Sequence, residues 1–117
     1  MEPQEKNIVF ITLELIRSPL TNEEISSFFN VEADCCIASA KGGWGVKTQG
    51  GLILENEWQS LRNILLQGWD KIPHLLSLGG QIEITFFSQI NDRYPVIIMS
   101  PQIIKDIAYL KANVHML

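Results

Sequence analysis

Apolar and polar residues alternate in two long stretches of the chain, and a period of two is typical of β-strands with one buried face. The first stretch runs from Ile8 to Ile16 and the second covers residues 81–87. A polar turn at residues 91–93 separates the second stretch from an apolar run at residues 96–99, which predicts a further strand. Residues 114–117 predict a last, short strand.

The first and the last helix each have a recognisable start. Thr21 and Glu24 have the spacing of a capping box, in which each side chain accepts from the other residue's backbone amide. They predict a helix from Asn22 to about Phe29, followed by no further apolar period. Ser100 is a typical N-cap, and the proline after it suits a first helical position because its missing amide proton would be unpaired there in any case.

A third, longer helix is predicted in the middle of the chain. Five apolar residues between positions 58 and 72 recur every three or four residues, which indicates an amphipathic helix. Asn56 is its expected cap. The helix should end or kink near Asp70, because Pro73 cannot continue it without losing a hydrogen bond, and residues 73–78 should form a further turn. Before this helix, residues 35–38 and 44–48 predict two short strands separated by glycine turns.

The order β-α-β-(β)-α-β-β-α-β predicts an α+β fold. We expect one largely antiparallel sheet of about five strands, with two to three helices packed on one of its faces. At 117 residues the chain has the size of one domain, so residues 1–117 should share a single core. A hydrophobic fraction of 46% excludes a disordered chain.

Charge and targeting signals narrow the classes of function. Residues 1–6 are polar and partly acidic, unlike an export signal, and no apolar stretch approaches the roughly 20 residues of a membrane-spanning helix. We therefore expect a cytoplasmic protein with no membrane partner. The net charge is −4, and the nine Lys and Arg residues are scattered singly. This pattern disfavours direct nucleic-acid binding and is compatible with a basic protein partner.

No group of residues has the spacing of a catalytic or metal-binding motif. Cys35 and Cys36 are adjacent, so a bridge between them is awkward, and no spacing links them to His74 or His115. The glycine-rich residues 42–51 have neither the GxGxxG order nor the lysine of a phosphate-binding loop. We therefore predict a protein that is not an enzyme, with no catalytic residue, metal or cofactor.

Four segments share their arrangement with a known group of domains: TNEEI at residues 21–25, IEITFF at 82–87, VIIMSPQII at 96–104 and ANVHML at 112–117. With the Trp44 strand and the long helix between them, they cover nearly the whole chain. The arrangement resembles a small bacterial α+β domain family whose members include immunity proteins of polymorphic and contact-dependent toxin systems.

The resemblance implies a function in protein binding. Such immunity proteins are small, acidic, cytoplasmic and non-enzymatic, and each binds one toxin domain. This chain would accordingly neutralise a cognate toxin, such as a basic nuclease, by covering its active site. Carboxylates would select the partner and speed the encounter, while aromatic rings would supply most of the affinity. The candidate contacts are Glu14, Glu32, Asp34, Glu83, Phe87, Asp92 and Tyr94.

Two other functions fit the same composition. A small-ligand binding module would have an apolar pocket between the sheet and the helix that carries Trp58 and Trp69. A homo-oligomeric structural protein would have a large apolar patch on the sheet face away from the helices.

Overall fold

The computed structural model describes residues 8–31, 36–38, 43–89 and 99–117. The strands are β1 Ile8–Ile16, β2 Cys36–Ala38, β3 Trp44–Lys47, β4 Gln81–Gln89 and β5 Asn113–Met116. The helices are α1 Asn22–Phe29, α2 Leu54–Leu65, the 3₁₀ helix Leu66–Lys71, α3 Ile72–Ser77 and α4 Pro101–Leu110.

The five strands form one sheet in the order β2-β3-β1-β4-β5. β1 pairs antiparallel with both β3 and β4, and β2 pairs antiparallel with β3. β5 pairs parallel with β4, so the chain must cross over between these two strands, and α4 lies in this connection. The predicted α+β fold with a largely antiparallel sheet of about five strands is confirmed.

Two predicted features between β4 and α4 are not tested in full. The turn at residues 91–93 and positions 96–98 of the predicted strand lie outside the described residues. Met99, the last residue of that predicted strand, is described and is not in a strand.

The alternation in β1 and β4 separates two faces of the sheet. Ile11, Leu13 and Leu15 of β1 are buried in the same core as the even-numbered apolar residues 82, 84 and 86 of β4. The helices add their buried side chains to this core, so they pack on this side of the sheet, here called the helix-side face. These helix residues are Ile25, Phe29, Trp58, Leu61, Leu65, Ile72, Leu75, Ile103 and Leu110.

Both predicted helix caps at the ends of the chain are confirmed. The hydroxyl of Thr21 accepts from the backbone N–H of Glu24, and the Glu24 carboxylate accepts from the backbone N–H of Thr21, each at 3.1 Å. The hydroxyl of Ser100 accepts from the backbone N–H of Ile103 at 3.3 Å, with Pro101 as the first residue of α4.

The central helix differs from its prediction at both ends. Asn56 is not its cap, because α2 begins at Leu54 after Ile53, whose side chain makes no capping bond. At its other end, α2 stops at Leu65 and the 3₁₀ helix follows it. Spacings of three and four residues suit both kinds of helix, so the sequence pattern did not separate them. Pro73 lies in the first turn of α3 and so ends no helix.

A buried glutamate explains the early start of α2. Glu57 is directed back to the preceding loop, where its Oε1 accepts from the backbone N–H of Gly50 at 2.8 Å. Gly51 extends the pairing of β1 through two backbone bonds with Val9 of 2.7 and 3.0 Å. A Cβ on Gly51 would stand 2.8 Å from Glu57 Oε2, so any larger residue there would force the carboxylate to shift.

Candidate protein-binding surface

The sheet face away from the helix core, here called the second face, is built from matched pairs on β1 and β4. The antiparallel register places Phe10 opposite Phe87, Thr12 opposite Thr85, and Glu14 opposite Glu83. In each case like residues are opposite one another. Directly opposed side chains on one sheet face interact strongly enough to affect stability. The second face therefore has an aromatic end and an acidic end, with two threonines between them.

The aromatic end is a stacked pair. The rings of Phe10 and Phe87 are nearly parallel, at 6°, with their centroids 4.5 Å apart. The ammonium of Lys47, which comes from β3 on the other side of β1, lies 5.6 Å from the Phe10 ring centre. Both rings remain partly exposed. They therefore form a flat, pre-ordered apolar surface of the kind that anchors protein interfaces.

The acidic end places two carboxylates side by side. Like charges directly opposite on neighbouring strands destabilise a sheet, so Glu14 and Glu83 oppose folding as a pair. β5 supplies groups that attract one of them: Nε2 of His115 lies 3.4 Å from Glu83 Oε1, and the amide of Asn113 donates to Glu83 Oε2 at 3.4 Å. Glu83 is thus held in place by β5, with 14% of its side chain exposed.

The structure brings together three of the predicted contact residues. Glu14, Glu83 and Phe87 lie on the second face, as the alternation of β1 and β4 predicted. The other four, Glu32, Asp34, Asp92 and Tyr94, lie outside the described residues.

Two further members of the surface were not predicted as contacts. Phe10 had the right alternation in the sequence, but its position beside Phe87 depends on the pairing of β1 with β4. His115 lies on the edge strand β5, beside Glu83. The sequence gives no local signal for either contact, since both join strands far apart in the chain.

A second carboxylate site lies within the helix layer. Asp106 of α4 is 4% exposed, and its Oδ2 accepts from the indole N–H of Trp58 at 2.8 Å. Its Oδ1 accepts from the amide of Gln102 at 2.9 Å, and Nε of Arg62 lies 3.3 Å from Oδ2. A buried charge with partners on two helices joins α2 to α4. We therefore assign Asp106 a structural role.

The ligand pocket proposed between the sheet and the Trp58 helix is not seen among the described side chains. The void on the core side, next to Trp44 and Leu65, has a volume of about 10 Å³. One water molecule needs about that much, so no organic ligand fits there. The larger groove, of about 440 Å³, lies elsewhere, beside the ends of α3 and α4, and Leu76, Tyr109 and Lys111 are among its lining residues.

Tyr109 gives this groove a fixed hydrogen-bond pattern. Its hydroxyl donates to the backbone carbonyl of Trp69 at 2.6 Å, and the two rings stack with centroids 5.3 Å apart. Burial, and secondly the negative charge of Asp70, raise the pKa of the Tyr109 hydroxyl above its usual value of 10.0. The hydroxyl is therefore neutral at physiological pH, and its proton is already donated to a carbonyl of the protein.

The histidines, cysteines and carboxylates were the candidate groups for metal binding or catalysis. In the part of the chain that the structure describes, no three His, Cys, Asp or Glu side chains come close enough to hold a metal ion. His74 lies on α3, apart from His115 on β5, and the side chains of Cys35 and Cys36 are outside the description. None of the described helices is both long enough and apolar enough to cross a membrane.

Comparison with known proteins identifies no relative, since no family model, no curated protein and no solved structure matches the chain.

Proposed function

We propose that this chain is a non-enzymatic immunity protein, which acts in the cytoplasm and neutralises a cognate bacterial toxin domain by binding it through the second face. The observation that carries the proposal is the juxtaposition of the stacked Phe10–Phe87 pair with the opposed Glu14–Glu83 pair on one sheet face. The resemblance of the sequence to a family with immunity proteins supplies the class of partner.

The acidic end of the second face favours a basic partner. The opposed carboxylates of Glu14 and Glu83 concentrate negative charge at one place, which would attract a cationic side chain of the partner. The net charge of −4 adds a long-range attraction, which speeds encounter with a basic domain. A nuclease domain is such a partner, because the basic residues of its active site normally bind phosphates.

The aromatic end suits the tight part of the contact. Phe10 and Phe87 are already stacked, so little side-chain entropy is lost when a partner covers them. Pre-ordered aromatic groups at the centre of an interface commonly supply most of the binding energy. We therefore expect charge to control the association rate and the phenylalanine pair to control dissociation.

The test is protection of a sensitive cell from the toxin encoded next to this chain, together with a binding measurement on the purified pair. We expect protection and a stable complex on size exclusion. Phe87→Ala should raise Kd at least tenfold, a loss of about 1.4 kcal/mol of binding free energy. The double change Glu14→Gln with Glu83→Gln should lower the association rate and reduce its dependence on salt.

Glu55→Gln is the matched control. It removes one carboxylate from the exposed first turn of α2, away from the second face, and leaves the described contacts of Phe10 and Phe87 intact. It should bind like the unaltered chain. Absence of both protection and complex would refute the proposed function, whereas equal losses in Glu55→Gln and in the second-face variants would refute the assigned surface.

A further inference from the structure

We infer that β5 pairs with β5 of a second copy of this chain, antiparallel across a two-fold axis through His115. β5 is the last strand of the sheet, and no described residue pairs with its outer side. All four of its residues are exposed. Sheet edges that stay unpaired are usually very short or carry a lysine, a proline or a bulge; β5 is short, with four residues, but its sequence NVHM has none of the other three.

Exposed apolar side chains mark the same edge. Val114 and Met116 pair in register with Ile84 and Phe86, so they lie on the helix-side face. Their partners on β4 are fully buried, yet Val114 is 37% and Met116 54% exposed. The helix layer therefore stops short of the edge strand. A neighbouring strand with apolar residues at the same positions would extend the core side of the sheet over this gap.

The backbone of β5 fixes which residues can pair. Leu117, just after the strand, donates to the carbonyl of Phe86 at 2.9 Å and accepts from the N–H of Ser88 at 3.1 Å, so its polar groups are directed at β4. In a parallel pair such residues alternate along the strand. His115 is then also directed at β4, while the N–H and C=O groups of Val114 and Met116 are directed outwards.

The outward-directed backbone groups of β5 can pair with those of β5 in a second copy of the chain. In an antiparallel pair centred on His115, Val114 of each chain is opposite Met116 of the other, and all four residues have outward-directed backbone groups. Two hydrogen-bonded pairs, hence four bonds, form, and the apolar side chains of each pair meet on the helix-side face. The strand contains no carboxylate or lysine, so two copies approach without like charges in the paired segment.

The central pair gives a test of the register by cross-linking. His115 and its copy are a non-hydrogen-bonded pair, with Cα atoms about 4.5 Å apart, which is within the range of a disulfide. In a background with Cys35→Ser and Cys36→Ser, oxidised His115→Cys should form a covalent dimer of the folded protein. Ile104→Cys, at an exposed apolar position on α4, should not. Cross-linking through Val114→Cys in preference to His115→Cys would overturn the proposed register.

Sedimentation equilibrium tests the association without cysteines. The weight-average mass should rise with concentration from 13.2 kDa towards twice that value. Met116→Pro removes one outward N–H and leaves the bonds to β4 intact, so it should stay folded and raise the dimer dissociation constant at least tenfold. Ile104→Lys should leave the dimer unchanged. A wild-type mass that stays at 13.2 kDa up to millimolar concentration, or an unaffected Met116→Pro dimer, would overturn the inference, and neither result bears on toxin binding.

Discussion

The two faces of the β1–β4 pair differ in how far their apolar side chains are buried. On the helix-side face, Ile11 is opposite Phe86, and both are fully buried among the helices. In the neighbouring pair, one residue earlier in β1 and one later in β4, Phe10 is opposite Phe87 on the second face, where both rings remain partly exposed. The first pair stabilises the fold because its apolar surface is removed from water. The second pair leaves part of its apolar surface exposed to water in the folded protein. The apolar residues of a strand therefore do not by themselves show which face is core and which is binding surface. The difference is that helices cover the helix-side face.

The carboxylates show the same contrast. Asp106 in the helix layer accepts hydrogen bonds from Trp58 and Gln102 and forms an ion pair with Arg62. Glu14 and Glu83 on the second face are opposite each other. Asp106 thus lies among groups that attract it, whereas the pairing of β1 with β4 also places the like charges of Glu14 and Glu83 side by side, which costs stability. This difference supports a binding role for the second face and a structural role for the helix layer.

The largest expected effect compares two adjacent phenylalanines. Phe86→Ala empties a fully buried site beside Trp58, so it should lower the free energy of unfolding by about 3–5 kcal/mol. Phe87→Ala should cost only about 1 kcal/mol, because it removes one stacked, partly exposed ring. Urea denaturation of both variants measures the difference. Equal losses would show that the second face carries as much stability as the core side.

The next effect tests the helix layer. Asp106→Ala leaves the indole N–H of Trp58 buried without an acceptor and removes the partner of Arg62. The expected cost is about 2–3 kcal/mol. Asp106→Asn keeps an oxygen acceptor and should lose less, which makes it the matched control. If Asp106→Ala were as stable as the unaltered chain, the network would not be a structural one and its carboxylate would need another explanation.

Local patterns in the sequence predicted much of the fold. The alternation in β1 and β4 identified both faces, and the capping residues Thr21 and Ser100 fixed the starts of α1 and α4. These features depend on neighbouring residues, which the sequence shows directly. The start of α2 was missed because Glu57, which directs its carboxylate to Gly50, lies outside any capping motif.

Long-range pairing was beyond the same patterns. The sequence contains Phe10 and Phe87, but only the register of β1 with β4 makes them a stacked pair. Likewise, Asp106 reads as an ordinary polar position in a helix until Trp58 is placed 2.8 Å away. The candidate site was therefore predicted as a face of the sheet, and its internal contacts were not.

A smaller effect concerns alkaline pH. Tyr109 has a pKa raised by burial and by Asp70, above the value near 10 that it has when unfolded. The folded state thus holds this proton more tightly. The contribution to stability is fully present below the unfolded pKa and is lost as pH rises through the folded pKa.

An ultraviolet titration should show this shift and its cause. Asp70→Asn should move the Tyr109 transition to lower pH without abolishing it, because the contribution of burial remains. Tyr109→Phe removes the transition and the bond to the Trp69 carbonyl, at a cost of about 1 kcal/mol in unfolding free energy. A Tyr109 that titrates at the ordinary value in the folded chain would contradict the raised pKa expected from its partial burial and from Asp70.

The smallest effect is also the most direct test of the contrast between the faces. A double-mutant cycle on Glu14 and Glu83, with Gln at each position, isolates their mutual interaction from every other contact that either carboxylate makes. We expect an unfavourable coupling of roughly 0.2–1 kcal/mol, weaker at high salt, whereas the Phe10–Phe87 cycle with Ala should give a favourable one. In complex with a basic partner, the carboxylate coupling should vanish or change sign, because a shared cation joins the two groups. A favourable coupling in the free protein would remove the reason for regarding the acidic pair as an adaptation to binding.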